Sequence, residues 1–217
     1  MDTAAAVNDS ELWLVRHARP VVKAGVCYGR LDVSAEPEHT HTTAQALAQA
    51  LLAAHRTAPK PLRLCTSPAL RAQQLARQAA ALLAGTFPEL PIQTDPRLAE
   101  MDFGHWEGQH WDDIPRAALD AWTDDFHHHR PGDGESVAAV LQRVRAALCD
   151  ATPHEHTAPP QRVVWFTHAG VMRAVDVLLA DHQRPLQAID WPQTACEHGA
   201  WRRLVWPGET SARWRQP

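Results

Sequence analysis

Short apolar runs alternate along this chain with stretches in which apolar residues recur every three or four positions. Leu12–Val15 is the first apolar run, and it breaks abruptly into Arg16-His17-Ala18-Arg19-Pro20. From Thr40 to Ala54, Leu47 and Leu51 stand four apart, which predicts a helix capped by Thr40 or Thr42. Leu62–Cys65 reads as a short strand. Ser67-Pro68 then supplies an N-cap and a proline at the first helical position. The helix it opens is predicted to run to about Ala84 and to bury Ala72, Leu75, Ala76, Ala79 and Leu82.

Pro91–Thr94 is a further candidate strand. The chain is irregular and aromatic from Asp95 to about Pro131. Gly132-Asp133-Gly134-Glu135-Ser136 breaks it and starts a helix, with Ser136 as the cap and Val137, Val140, Leu141, Val144 and Leu148 on one face. His154–Gln161 reads as a polar loop. Val163–Thr167 is a second buried-strand run, and it ends in His168-Ala169-Gly170. Val171, Val175, Leu178 and Leu179 mark the next helix. Trp201–Trp206 reads as a last strand, expected to pair with residues near Thr194–Glu197.

This alternation predicts an α/β fold: a three-layer sandwich with a mainly parallel central sheet flanked by helices. One domain is expected over residues 1–217, with a cap-like insertion at about 95–131, since the sequence shows no repeat and no long linker.

Composition narrows the function classes. The chain has 217 residues, 45% of them hydrophobic, which is enough for a substantial core. No apolar run approaches the ~20 residues that span a bilayer, and Met1–Ser10 has no basic and apolar leader. A formal net charge of -4 argues against a general nucleic-acid or anionic-membrane surface. Cys27, Cys65, Cys149 and Cys196 are scattered, which suits reduced thiols in a cytoplasmic protein and neither a disulfide framework nor structural zinc. The 14 histidines fall largely in polar stretches such as His127-His128-His129, read as solvated. The sequence leaves open whether copies form a homo-oligomer.

The chemistry lies where the apolar runs stop. Open α/β sheets place ligands at the carboxyl ends of their strands. Arg16-His17, Ser67 and His168 all fall at such ends, and Arg71 sits in the first turn of the helix after the second strand. Helix starts add free N–H groups and a favourable dipole for an anion. Two arginines, two histidines and two helix starts converging on one pocket suit a tetrahedral phosphoryl dianion better than a carboxylate.

Four segments in order carry a family resemblance: Arg16-His17, Ser67-Pro68-Ala69-Leu70-Arg71-Ala72, Glu100 before Phe103-Gly104-His105-Trp106-Glu107-Gly108, and Thr167-His168-Ala169-Gly170. Together they resemble the histidine phosphatase (phosphoglycerate mutase-like) superfamily. Gly25-Val26-Cys27-Tyr28-Gly29-Arg30-Leu31-Asp32-Val33 and Arg130-Pro131-Gly132-Asp133-Gly134-Glu135-Ser136 resemble its alpha-ribazole phosphatase branch, which removes the 5'-phosphate of alpha-ribazole phosphate in cobalamin biosynthesis. The usual Arg-His-Gly of the superfamily is Arg-His-Ala here, and its asparagine several residues later is replaced by the region of Cys27-Tyr28-Gly29, which weighs against a mutase.

The resemblance implies a phosphoglycerate mutase-like fold and a histidine acid phosphatase-type phosphoric monoester hydrolase. His17 would be the nucleophile, Arg16, Arg71 and His168 would hold the phosphoryl oxygens, and Glu100 would be the general acid, with Glu107 as its competitor. No metal and no cofactor is implied, because the arginines neutralise the charge. The partner is a small-molecule phosphate monoester, with no nucleic acid and no membrane. A broad sugar-phosphate phosphatase, a phosphoglycerate mutase and a non-catalytic phosphate-binding protein stay as alternatives.

Overall fold

The computed structural model describes residues 9–151, 159–180, 182, 184–194 and 196–206. Among the described residues there are five strands: β1 (Ser10–Arg16), β2 (Leu62–Thr66), β3 (Ile92–Thr94), β4 (Arg162–Thr167) and β5 (Trp201–Trp206). The helices are α1 (Pro37–Thr57), α2 (Leu70–Leu83), α3 (Arg116–Asp124), α4 (Val137–Ala151) and α5 (Ala169–Leu179). The sheet order is β3-β2-β4-β1-β5. The first four strands run parallel and β5 joins β1 antiparallel.

The two-residue period of a strand explains the three layers. Leu12 and Leu14 of β1, with Val163 and Trp165 of β4, face α4 and α5 and join Val140, Val144, Leu148, Val171 and Val175 in one core. Trp13 and Val15, with Val164 and Phe166, point the other way onto Leu47 and Leu51 of α1 and Leu75, Ala76 and Ala79 of α2. Both central strands are buried on both faces, which is why they read as unbroken apolar runs rather than as alternating ones. Leu14 is fully buried, so truncating it to alanine costs about 2–5 kcal/mol.

The amino-terminal ends of β1 and β4 are held by a buried ionic cluster. Glu11 accepts from Lys60 Nζ at 2.9 Å, from Arg162 Nε at 2.8 Å and from Trp13 Nε1 at 3.0 Å. Burial alone would raise the Glu11 pKa, but these hydrogen bonds outweigh it and hold the carboxyl down at about 2.

Several element boundaries differ from the sequence reading. Helix α1 begins at Pro37 with Glu36 before it, three residues ahead of Thr40. Proline at the first turn sets the start, and Thr40 Oγ1 donates to Glu36 O instead of capping. Helix α2 begins at Leu70 with Ala69 at the cap position, two residues after Ser67, whose Oγ accepts from Ala69 N at 3.2 Å and also meets His168 Nε2. On α2 the buried residue is Leu83, while Leu82 is 44% exposed. Strand β5 pairs with β1 and not with the segment at Thr194–Glu197.

The aromatic middle contains α3 and several 3-10 turns. Trp106, Ile114 and Cys27 form a small core there, with Phe103, Trp111 and Trp122 packed around it. Ser136 Oγ accepts from Ala139 N at 3.3 Å, as expected of a cap. The expected polar loop at 154–161 lies largely outside the described residues. Among the described residues no helix is long and apolar enough to cross a membrane, and no group of three His, Cys, Asp or Glu is placed to hold a metal ion. All four cysteines are free.

Candidate active site

Parallel pairing brings the ends of β1, β2 and β4 together. Arg16 lies in register with Thr167, and Thr66 with Phe166. The next residues of each strand, His17, Ser67 and His168, therefore meet at one edge of the sheet. His17 N donates to Thr167 O at 2.9 Å, and Ser67 N donates to Phe166 O at 2.9 Å.

His17 is 1% exposed. Its Nδ1 lies 2.7 Å from Ala18 O. A carbonyl only accepts, so Nδ1 carries the proton and Nε2 carries the free lone pair. Burial, and then the Arg71 charge, lowers the His17 pKa well below the usual histidine range. The ring is thus a neutral imidazole with one nitrogen available to attack.

His168 is fully buried, with its ring centroid 5.0 Å from that of His17. Its Nε2 meets Ser67 Oγ at 2.7 Å and its Nδ1 meets Arg71 Nη2 at 3.3 Å. Burial, followed by the charges of His17 and Arg71, also lowers its pKa well below the usual range. The sequence reading places Ser67 at this edge as a helix cap and does not foresee its contact with His168. A serine before proline signals a helix cap, and only the register of β2 with β4 shows that its hydroxyl faces a histidine.

Arg71 is fully buried. It donates from Nη1 to Leu31 O at 2.7 Å and from Nη2 to Gly29 O at 2.6 Å, and it lies 5.1 Å from the centre of the Tyr28 ring. Arg16 Nη1 donates to Cys196 O at 2.6 Å. The Nε atoms of both arginines are buried and meet no acceptor among the described residues. Buried donors without acceptors are costly, and an anion beside them removes that cost.

The two candidate acids are separated by their partners. Glu100 lies against the start of α5. Its Oε2 accepts from Gly170 N at 3.2 Å and its Oε1 from Met101 N at 3.0 Å. Its charge also acts on Arg71 and Arg173. Glu107 is engaged structurally: Oε1 accepts from Arg30 N at 2.8 Å and from Phe103 N at 3.0 Å, tying the 29–31 loop to the aromatic segment. All five residues singled out from sequence, Arg16, His17, Arg71, Glu100 and His168, are thus joined by contacts or charge around one strand edge.

Two further residues enter that sequence inspection did not single out. The His198 ring lies 5.3 Å from the His17 ring, and the Tyr28 ring lies 6.4 Å from it. The loop before β5 brings His198 there. Gly199 adopts φ +77 and donates its N–H to His17 O at 3.0 Å. A side chain at Gly199 would be strained at that φ and would fall 2.4 Å from Thr43 Oγ1.

Comparison with known proteins agrees with this geometry. Residues 12–212 match the histidine phosphatase superfamily (branch 1). Adenosylcobalamin/alpha-ribazole phosphatase of Escherichia coli (strain K12) is 33% identical over 87 residues, 39% of this chain and 41% of that protein. The matched part thus spans about two-fifths of that relative's length. A Hydrogenobacter thermophilus protein provisionally named phosphoserine phosphatase 2 is 30% identical over 173 residues, 77% of each chain. The native structure of mycobacterial glucosyl-3-phosphoglycerate phosphatase is similar with a TM-score of 0.67 and 25% identity, covering 89% of both chains.

Proposed function

We propose, from the premise that this chain belongs to the histidine phosphatase superfamily, that it is a phosphomonoesterase working through a phosphohistidine at His17. The observation that carries the reading is the fixed tautomer of His17: Nδ1 is tied to Ala18 O and Nε2 is the free nucleophile. In the first step Nε2 bonds to phosphorus and the ester P–O bond breaks. Glu100 gives its proton to the departing alkoxide. In the second step water attacks the phosphohistidine, Glu100 takes a proton from that water, and the P–N bond breaks to release inorganic phosphate.

Arg16, Arg71 and His168 hold the phosphoryl oxygens in this scheme. The Arg71–His168 contact is long at 3.3 Å, and an oxygen inserted there replaces it. Ser67 then donates to His168 Nε2, which leaves the Nδ1 proton for the phosphoryl oxygen. Positioning and charge stabilisation supply most of the rate in such transfers. Activity is expected to persist in EDTA, since arginines carry the positive charge. Loss in EDTA, restored by zinc or magnesium, would assign that role to a metal.

The substrate proposed is alpha-ribazole 5'-phosphate. Two stretches support it, 25–33 and 130–136, and they touch: Arg30 Nη2 lies 3.4 Å from Glu135 Oε2, and Arg143 binds the same carboxylate at 2.7 Å. Residues 95–131 serve in this reading as the cap that selects the leaving group within a single 1–217 domain. The range of leaving groups in the names of similar proteins favours one second reading, a broad sugar-phosphate phosphatase. Comparing kcat/KM for alpha-ribazole 5'-phosphate, phosphoserine and glucosyl-3-phosphoglycerate separates them. A preference of about 100-fold for the first supports the narrow reading, and equal values support the broad one.

A further inference from the structure

The mechanism above leaves Tyr28 and His198 unused, although both rings flank the nucleophile. They come from opposite ends of the chain. Tyr28 lies in the loop after β1 and His198 in the loop before β5. Tyr28 Oη lies 3.5 Å from His198 Nε2, so the two polar tips approach each other beside His17. The pair is anchored twice. The Tyr28 ring sits 5.1 Å from the Arg71 guanidinium, and the residue after His198 is hydrogen-bonded to the His17 carbonyl at 3.0 Å.

Depth then assigns the sides of the site. His168, Ser67 and Arg71 are fully buried and His17 is 1% exposed, whereas Tyr28 and His198 are partly exposed. A phosphoryl group held by the deep set must direct its ester oxygen, and the alcohol beyond it, toward the exposed side. Tyr28 and His198 present a phenol and an imidazole on that side, alongside the equally half-buried Arg16 and the proposed acid Glu100. The imidazole is neutral: burial, and then Arg16, lowers the His198 pKa to about 4. A phenol and a neutral imidazole each donate and accept hydrogen bonds and carry no charge. That chemistry matches alcohol hydroxyls, and it offers nothing specific to a carboxylate or a second phosphate.

We propose that Tyr28 and His198 together form the specificity element for the leaving group, hydrogen-bonding hydroxyls of a polyhydroxylated alcohol such as a pentose bonded through its primary carbon to the phosphate. The inference rests on the phosphatase reading and adds the two residues that read the alcohol's hydroxyls. A site built to hydrogen-bond a hydroxyl rejects the analogue without it more strongly than an apolar pocket rejects an extra group, because its polar atoms are left unpaired.

The test compares ribose 5-phosphate with tetrahydrofurfuryl phosphate, which keeps the ring oxygen and the primary ester but has no hydroxyls. The wild-type chain is expected to prefer ribose 5-phosphate by at least tenfold in kcat/KM. Tyr28→Phe keeps the ring over Arg71, and His198→Ala removes the imidazole. Each is expected to lower kcat/KM for ribose 5-phosphate about tenfold, mostly through KM, and to change tetrahydrofurfuryl phosphate less than threefold. His198→Gln, which retains a donor and an acceptor, is expected to recover most of the loss. Equal losses on both esters, no loss on either, or a wild-type chain indifferent to the hydroxyls would overturn the inference while leaving the phosphatase reading intact. A wild-type chain that turns over neither ester and forms no phosphohistidine would overturn both.

Discussion

Glu100 and Gly170 are fitted to one another: a Cβ placed on Gly170 would lie 2.1 Å from Glu100 Oε1, and the Gly170 N–H donates to Oε2 of the same carboxylate at 3.2 Å. The bare backbone at the start of α5 is therefore the seat of the proposed general acid. Alanine is favoured over glycine in a helix by about 1 kcal/mol, so Gly170→Ala offsets its clash in stability while pushing the carboxylate away. The expected result is an unchanged or higher melting temperature with a ten- to hundredfold lower kcat on alkyl phosphates. Thermal melts and steady-state rates on the purified variant check both halves.

The two acids separate by their dependence on the leaving group. A general acid is worth roughly 10²–10⁴-fold when the alcohol leaves poorly. Glu100→Gln is expected to slow phosphoenzyme formation from an alkyl phosphate by that factor and nearly to spare it from p-nitrophenyl phosphate, whose phenolate needs no proton. Glu107→Gln weakens the bonds to the Arg30 and Phe103 amides. It is expected to destabilise the fold by about 1–3 kcal/mol and to slow both esters alike. Rapid-quench measurements on both esters, with denaturant melts, distinguish the two patterns.

Ser67 governs His168 through a 2.7 Å contact. Ser67→Ala removes the partner of Nε2 and frees the ring to take the wrong tautomer. An interaction made chiefly in the transition state shows in kcat rather than in KM. The expected effect is a roughly ten- to hundredfold loss in kcat with KM within threefold. A pure rise in KM would place His168 in ground-state binding instead.

Acid stability follows from the buried imidazoles of His17 and His168, and His198, lowered to about 4 by burial, adds to the same window. His17 and His168 have folded-state pKa values well below the usual 6.5, first through burial. A lowered folded pKa means that the unfolded chain takes up protons first as pH falls. The stability they confer is therefore complete above pH 6.5 and is lost below it, at about 1.4 kcal/mol per pH unit for each of His17 and His168. Urea melts between pH 7 and 5 should show this slope, and His17→Gln should reduce it by one proton's worth.

Much of the fold was legible in the sequence because β1 and β4 are buried on both faces, so Leu12–Val15 and Val163–Phe166 read as unbroken apolar runs. The helices α4 and α5 were legible because their apolar stripes face a single layer. What stayed hidden depends on contacts between distant segments. Nothing local at Trp201–Trp206 says that its partner is β1. The 95–131 segment holds α3, but its stripe of Ala118, Leu119 and Trp122 is short, spans only nine residues and lies among 3-10 turns, so it does not stand out. At the site, Arg16-His17 and His168 announced themselves by ending apolar strands. Tyr28 and His198 sit in loops of no regular period, and only their shared approach to His17 brings them to notice. Only the family resemblance ranks Glu100 ahead of Glu107 from sequence, since the physical difference is which backbone amides each one meets.

The most direct measurement of the central claim is to trap the phosphoenzyme and find the residue that carries it. A chain mixed with ³²P-labelled ester and quenched within milliseconds should carry label that is stable to base and labile to acid, and peptide mapping should place it on His17. The His17→Ala variant should carry no label and show no turnover. Label that persists in that variant and maps to His168, or turnover without any phosphohistidine, would contradict the account.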